Sequence, residues 1–313
     1  MPINSKTRLA IGFALLFANA FCFNQALVHA DEVKAPAATS IPADLLGTWR
    51  VTGVLVDTGT MARLDMQYND SRHMGGILLI APDALLGTID TWGGLCMYPT
   101  VTVEPTTAGA LIKNTMAGRA YAPGHTAEEL ARFPPETPTP QDYQLPYAGN
   151  SPVEPMRIYC GKGRIGGWDY RIGHGTWMLV LPNGKLGIRW ADSSVLVLSR
   201  VTEPIRPIAS FDCAKAGTPV EKTICSSMDL ALLDHVDVKY FTEFEDTLRR
   251  KARLEHDTRF LDAGRDLKGV YHAWRRRRET CGPDPACLKQ SMLELWDIFE
   301  KTEIPDFHDA KTK

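Results

Sequence analysis

The sequence predicts an α+β protein, in which a β-rich barrel or sandwich precedes a small helical bundle stapled by disulfides. Three observations carry this. Before residue 203 the apolar residues come in short β-branched and aromatic runs separated by Gly, Pro and Asp, and after residue 210 they recur with a helical period. Asn183-Gly184 sits between two such runs, where a hairpin needs positive φ angles. Two pairs of cysteines, Cys213 with Cys225 and Cys281 with Cys287, close short loops inside the helical part.

In chain order, Lys6 and Arg8 precede an apolar run from Leu9 to Phe23, and Val28-His29-Ala30 supplies a small-x-small site. Residues 1–30 therefore read as a secretory signal, with 31–41 as a flexible segment. The apolar run is short for a bilayer span and is interrupted by Asn19, and no later stretch is apolar for long enough, so no stable membrane anchor is expected. Cys22 follows Phe21, where a lipoprotein anchor requires a small residue. The expected location is periplasmic or secreted.

The 313-residue chain carries a formal charge of -2. Loss of residues 1–30 removes Lys6 and Arg8 and no acid, moving it to -4. No basic field draws in nucleic acid. In an oxidising compartment the remaining six cysteines read as disulfides rather than as zinc ligands, since no histidine completes a tight cluster beside either loop. The expected pairs are Cys213–Cys225, Cys281–Cys287 and, by remainder, Cys96–Cys160. Six cysteines permit fifteen connectivities and the sequence does not choose among them; a crossed pairing between the two helical loops is the rival.

The β-rich domain is expected over 42–203. Its strand candidates are LLGTWRVTGVLVD, GGILLIAP, LLGTIDTW, MYPTVTVE, and the final meander TWMLVL, KLGIRW and SVLVLSRV. Gly47-Thr48-Trp49 resembles the Gly-x-Trp opening of lipocalin-like barrels, and a tryptophan capping a barrel core accounts for it equally well. A capping box at Thr126-Ala127-Glu128-Glu129 predicts a short helix, followed by a proline-dense insertion, 133–155, expected to be exposed and semi-rigid. Asp65, Asp70, Arg72 and His73 cluster around one loop; such scattered groups are more often solvated than catalytic.

Residues 204–210 read as a linker. Thr218-Pro219-Val220-Glu221 is a capping box with proline at the first helical position. Leu230, Leu233, Phe241, Phe244 and Leu248 stripe the next helix; Phe260, Leu267, Val270, Tyr271 and Trp274 a third; Leu288, Met292, Leu295 and Phe299 a fourth, begun at Asp284-Pro285. Arg278 falls four residues after Trp274, and Asp234 four after Leu230, so both lie on apolar stripes. A buried Asp234–Arg278 ion pair between these helices is expected. At roughly 100° per residue, the run Arg275-Arg276-Arg277-Arg278 cannot form one patch. The acidic group Glu243, Glu245 and Asp246 reads as a solvated face.

Residues 211–302, with 303–313 as a flexible tail, resemble the lysozyme inhibitor LprI-type domain. The resemblance lies in Phe211-Asp212-Cys213-Ala214-Lys215-Ala216, Pro219, Glu221, Ile224-Cys225, Leu230, Leu233-Asp234, Trp274, Arg278, Cys281 and Cys287-Leu288. Asp237, where the family usually has an apolar residue, and Arg275, where leucine is usual, depart from it. The resemblance implies an exported protein that binds lysozyme or another peptidoglycan-cleaving enzyme and blocks it sterically. A related version is immunity against a cell-wall toxin; the competing class is a carrier of a small apolar ligand in the β-rich domain. No His-x-x-x-His, His-Glu-x-x-His or Gly-x-Ser-x-Gly motif occurs in the chain after residue 30, so no enzyme activity, catalytic residue, metal or cofactor is expected.

Overall fold

The computed structural model of the chain describes residues 38–58, 66–89, 94–116, 137–165, 176–191 and 193–301. The signal segment, Asp65, the Thr126 capping box and the tail 303–313 lie outside the described residues. The described residues all belong to one compact unit.

Strands β1 (Gly47–Leu55), β2 (Ile77–Ala81), β3 (Ala84–Gly87) and β4 (Gly94–Met97) form an antiparallel meander. β5 (Thr100–Val103) continues β4 beyond Tyr98-Pro99. A ribbon of β6 (Thr106–Thr107) and β7 (Pro152–Val153) follows, with helix α1 (Ala108–Met116) directly after β6. β8 (Met156–Tyr159) and β9 (Lys162–Ile165) are again one run, broken at Cys160-Gly161, and β10 (Trp177–Val180), β11 (Leu186–Trp190) and β12 (Ser194–Arg200) return to pair with β1. The main sheet holds ten strands in the order β5-β8-β10-β11-β12-β1-β2-β3-β4-β9. Its two ends are the same pair of chain segments, because β4 pairs with β9 and β5 with β8. The sheet therefore curls back on itself around one inward face.

Alternation of side chains then makes three cores. Inward, Trp49, Leu78, Leu85, Cys96, Met178, Ile188, Trp190 and Leu198 belong to one buried cluster. A bulge between Val51 and Gly53 keeps Val54 in that cluster with Trp49 and Val51. Outward on β3 and β4, Ala84, Leu86, Leu95 and Met97 join the core of the helical region. Outward on β10 and β12, Trp177, Leu179 and Val195 pack with Leu111 and Ile112 of α1. Coverage on both faces explains why β3, β4 and β11 have no exposed residue, with β3 and β4 free of polar side chains apart from Cys96 and with Arg189 of β11 buried and donating to the Thr115 carbonyl.

The helical region comprises α2 (Pro219–Ile224), α3 (Met228–Glu255), α4 (Arg259–Glu279) and α5 (Pro285–Lys301). Thr218 and Glu221 cap α2 reciprocally, with proline at the start of the helix. The apolar stripes expected on the next three helices are buried, Val270 partly. α3 ends at His256, in the left-handed conformation with φ 52°.

Three differences from the sequence reading have physical causes. The β10–β11 turn falls on Pro182-Asn183-Gly184, between the two expected strands, but only Gly184 and not Asn183 is at positive φ, 73°, with Gly184 N–H donating to the Leu181 carbonyl and Leu181 N–H to the Lys185 carbonyl. The described part of the Pro-rich insertion is exposed at many positions but is anchored by buried side chains. Tyr143, Leu145 and Val153 are buried against α1 and β10, because their outward strand faces need a cover. α1, β8 and β9 were not foreseen; β8 is only four residues long and β9 is polar and contains glycine, so neither carries a clear period.

Candidate functional site

The three disulfides join Cys96 to Cys160, Cys213 to Cys225 and Cys281 to Cys287. Cys213–Cys225 ties the turn after Asp212, whose carboxylate accepts from Ala214 N–H, to the end of α2. Cys281–Cys287 staples the turn between α4 and α5. Cys96–Cys160 fixes the place where both long strand runs break.

The expected ion pair is present. Arg278 Nη1 donates to Asp234 Oδ1 at 2.7 Å, with the two side chains 6% and 1% exposed. Ser210 contributes its amide, 2.9 Å, and its hydroxyl, 2.6 Å, to Asp234 Oδ2. The segment read as a linker is thus bonded into the helical core, with Ile208 and Ala209 packed beside it. Asp237, one turn further along α3, is also fully buried, and its Oδ2 accepts no hydrogen bond. Burial first, and then the charge of Asp234, push its carboxyl well above the usual carboxylate range, against the opposing pull of Arg278. Burial also lowers the nearby His235. Arg275, Arg276 and Arg277 are exposed, so the arginine run divides as helical geometry requires. Glu245 of the acidic group is held by Arg249 and by Lys268, the latter at 2.7 Å.

The loop polar residues have structural roles. Asp70 accepts from the amides of Gln67 and Arg72 and from the Arg72 guanidinium at 2.9 and 2.6 Å. These bonds, led by the guanidinium, hold its carboxyl well below the usual carboxylate range. His73 Nδ1 lies 2.7 Å from the Ile89 carbonyl and the ring is buried. Among the described residues no three His, Cys, Asp or Glu side chains converge as a metal-binding group.

The feature that the sequence reading missed is the kink where β4 passes into β5 and β8 into β9. Tyr98 has φ 52°, and it is the bulkiest of the described non-glycine residues at positive φ. For a bulky side chain that conformation is strained, and such strain concentrates at functional positions. It is held by Tyr98 N–H donating to Asp83, by Gly161 N–H donating to Met97 and by the Cys96–Cys160 bridge beside it. A Cβ at Gly161 would lie 3.2 Å from that of Tyr98, a tight contact that the glycine avoids. The strain turns Tyr98 outward, 56% exposed, and Tyr159 on the facing run is 49% exposed. Neighbouring charges are tied in pairs: Arg157 to Glu104 at 2.9 and 2.8 Å, Lys162 to Asp297 at 2.7 Å, and Lys289 to Asp83 at 2.7 Å. What remains outward is two aromatic rings on a disulfide-braced corner. The only hint in the sequence is a tyrosine next to each break, Tyr98-Pro99 and Tyr159-Cys160.

Comparison of the chain with protein-family models, curated proteins and solved structures returns no match. No helix among the described residues is long and apolar enough to cross a membrane.

Proposed function

We propose that this is an exported, periplasmic binding protein that catalyses no reaction and blocks a peptidoglycan-cleaving enzyme of the lysozyme class by steric occlusion. The observation that carries the reading is the rigid aromatic corner at Tyr98 and Tyr159. Exposed tyrosines on a fixed backbone give large contact area with little entropy to lose on binding. Three disulfides suit an oxidising compartment. The similarity of residues 211–302 to LprI-type inhibitors supports the same target class, and immunity against a delivered cell-wall toxin is the same mechanism with a different enzyme.

The test is binding of the full-length oxidised protein, without residues 1–30, to lysozyme, with muramidase activity read in parallel. Binding and inhibition that fall at least tenfold in Tyr98→Ala/Tyr159→Ala support the proposal. Inhibition unaffected by that double change removes the corner from the mechanism; absence of binding removes lysozyme as the target.

One observation favours the carrier reading. The indole N–H of Trp190, on the inward face of the curled sheet, is buried without an acceptor, whereas those of Trp49, Trp177 and Trp274 donate to Leu45, Thr115 and Ser291. A small apolar molecule bearing a carbonyl would satisfy it. Saturable quenching of tryptophan fluorescence by a long-chain fatty acid, lost in Trp190→Phe, would establish this reading instead.

A further inference from the structure

We propose that Asp234, Asp237 and Arg278 form a one-proton lock in the helical core, in which Asp237 is held as the neutral acid and its ionisation on a rise in pH loosens the bundle. The argument begins with a count of charge. Two carboxyl groups one turn apart on α3 share one buried guanidinium. That guanidinium serves Asp234 and not Asp237: Nη1 donates to Asp234 at 2.7 Å, Nη2 reaches Glu279 at 3.2 Å, and Nε–H, buried without an acceptor, makes no hydrogen bond to Asp237. Asp234 collects three donors, while Oδ2 of Asp237 collects none. A fully buried carboxylate without donors is unfavourable enough that the group takes a proton instead.

The groups around Asp237 do not supply a second cation. α3 presents Asp234; α4 presents Arg278 and Tyr271, the latter influenced in turn by Arg275. From α2, Glu221 acts on Arg278 and adds negative charge. The segment before α2 offers Ser210, bonded to Asp234, and α5 places apolar Leu288, Met292 and Leu295 in the same core. Neutral Asp237 therefore leaves a balanced Asp234–Arg278 pair, and ionised Asp237 leaves an excess anion.

The sign follows. An acid raised in the folded state binds more protons folded than unfolded between the two pKa values. Its contribution to stability is complete below the ordinary carboxylate range and is lost as pH rises from there to the folded value. The helical region is thereby tightened in acid surroundings and loosened in alkaline ones. This is independent of what the protein binds.

Chemical denaturation of the full-length oxidised protein and of Asp237→Asn, from about pH 5 to about pH 9, tests the lock. The expected result is a folded-to-unfolded ratio that falls in the wild type relative to the variant, by up to about tenfold per pH unit. A ratio between the two proteins that stays constant with pH overturns the proposal. If Asp237→Asn does not fold, infrared spectroscopy of the wild type labelled at aspartate decides. A protonated-carboxyl band present at neutral pH and lost on alkalinisation supports the lock, and no such band at neutral pH overturns it.

Discussion

Replacing Arg278 by methionine keeps an apolar stem and deletes the guanidinium. Asp234 then retains only the Ser210 amide and hydroxyl among its three donors. With the pair's side chains 6% and 1% exposed, solvent neither screens the attraction nor rehydrates the abandoned carboxylate. Breaking a buried pair from one side costs about 3–5 kcal/mol, a large part of a total stability of roughly 5–15 kcal/mol. The contact of the guanidinium with the Trp274 ring, 5.1 Å from its centroid, is lost as well. Asp234→Asn should be milder, because Asp237 can then release its proton and become the counter-ion of Arg278. The assay is urea unfolding at neutral pH with disulfides intact, followed by circular dichroism. Asp234→Leu combined with Arg278→Met should lose less than the sum of its single changes, with a coupling of about 1–3 kcal/mol. A loss below about 1 kcal/mol for Arg278→Met, the scale of an exposed pair, or simple additivity in the cycle, would refute the reasoning.

Four further outcomes are expected. Leu86→Ala, at a residue with 0% exposure on the outer face of β3, should cost about 2–5 kcal/mol. Because that face joins the helical core, amide exchange should quicken in α3 and not in β3 alone. Gly163→Ala places a Cβ 2.4 Å from the Leu95 carbonyl oxygen at φ 73°, and its melting temperature should fall clearly, whereas Gly264→Ala, with no atom near its Cβ, should not lower it. Replacing Cys96 and Cys160 by serine opens a loop of 64 residues and should cost about 4 kcal/mol of chain entropy, against about 2 kcal/mol for the six-residue loop of Cys281–Cys287; equal losses in denaturant titrations would contradict this. Asp70→Asn should destabilise at neutral pH and less in acid: a depressed carboxyl stabilises above the unfolded carboxylate range, and the contribution is lost as pH falls toward the folded value, so the two unfolding curves should converge at low pH.

The helical region was legible residue by residue because its signals are local. A capping box, a proline at a helix start and stripes at a 3.6-residue period are each read within one turn or a few, and the cysteine loops are short enough to close on themselves. Even the Asp234–Arg278 pair was readable, since two charges on apolar stripes must meet or remain unpaired. The curled sheet was legible in kind, from its alternating runs and its hairpin loop, but not in its closure. That depends on residues 94–103 pairing with 156–165, and no local period encodes a partner some sixty positions away.

The sequence by itself determined the two kinds of structure, the starts of α2 and α5, the apolar stripes of α3 through α5 and the Asp234–Arg278 pair. Tertiary structure alone decided three things. It chose one disulfide connectivity, because only folding brings Cys96 beside Cys160. It buried Tyr143, Leu145 and Val153 of the Pro-rich segment, because α1 and the outer faces of β10 and β12 left apolar surface that had to be covered. It made Tyr98 a strained, outward residue and left Oδ2 of Asp237 without a donor, since strain and unmet hydrogen bonds belong to the arrangement of neighbours and not to any one residue.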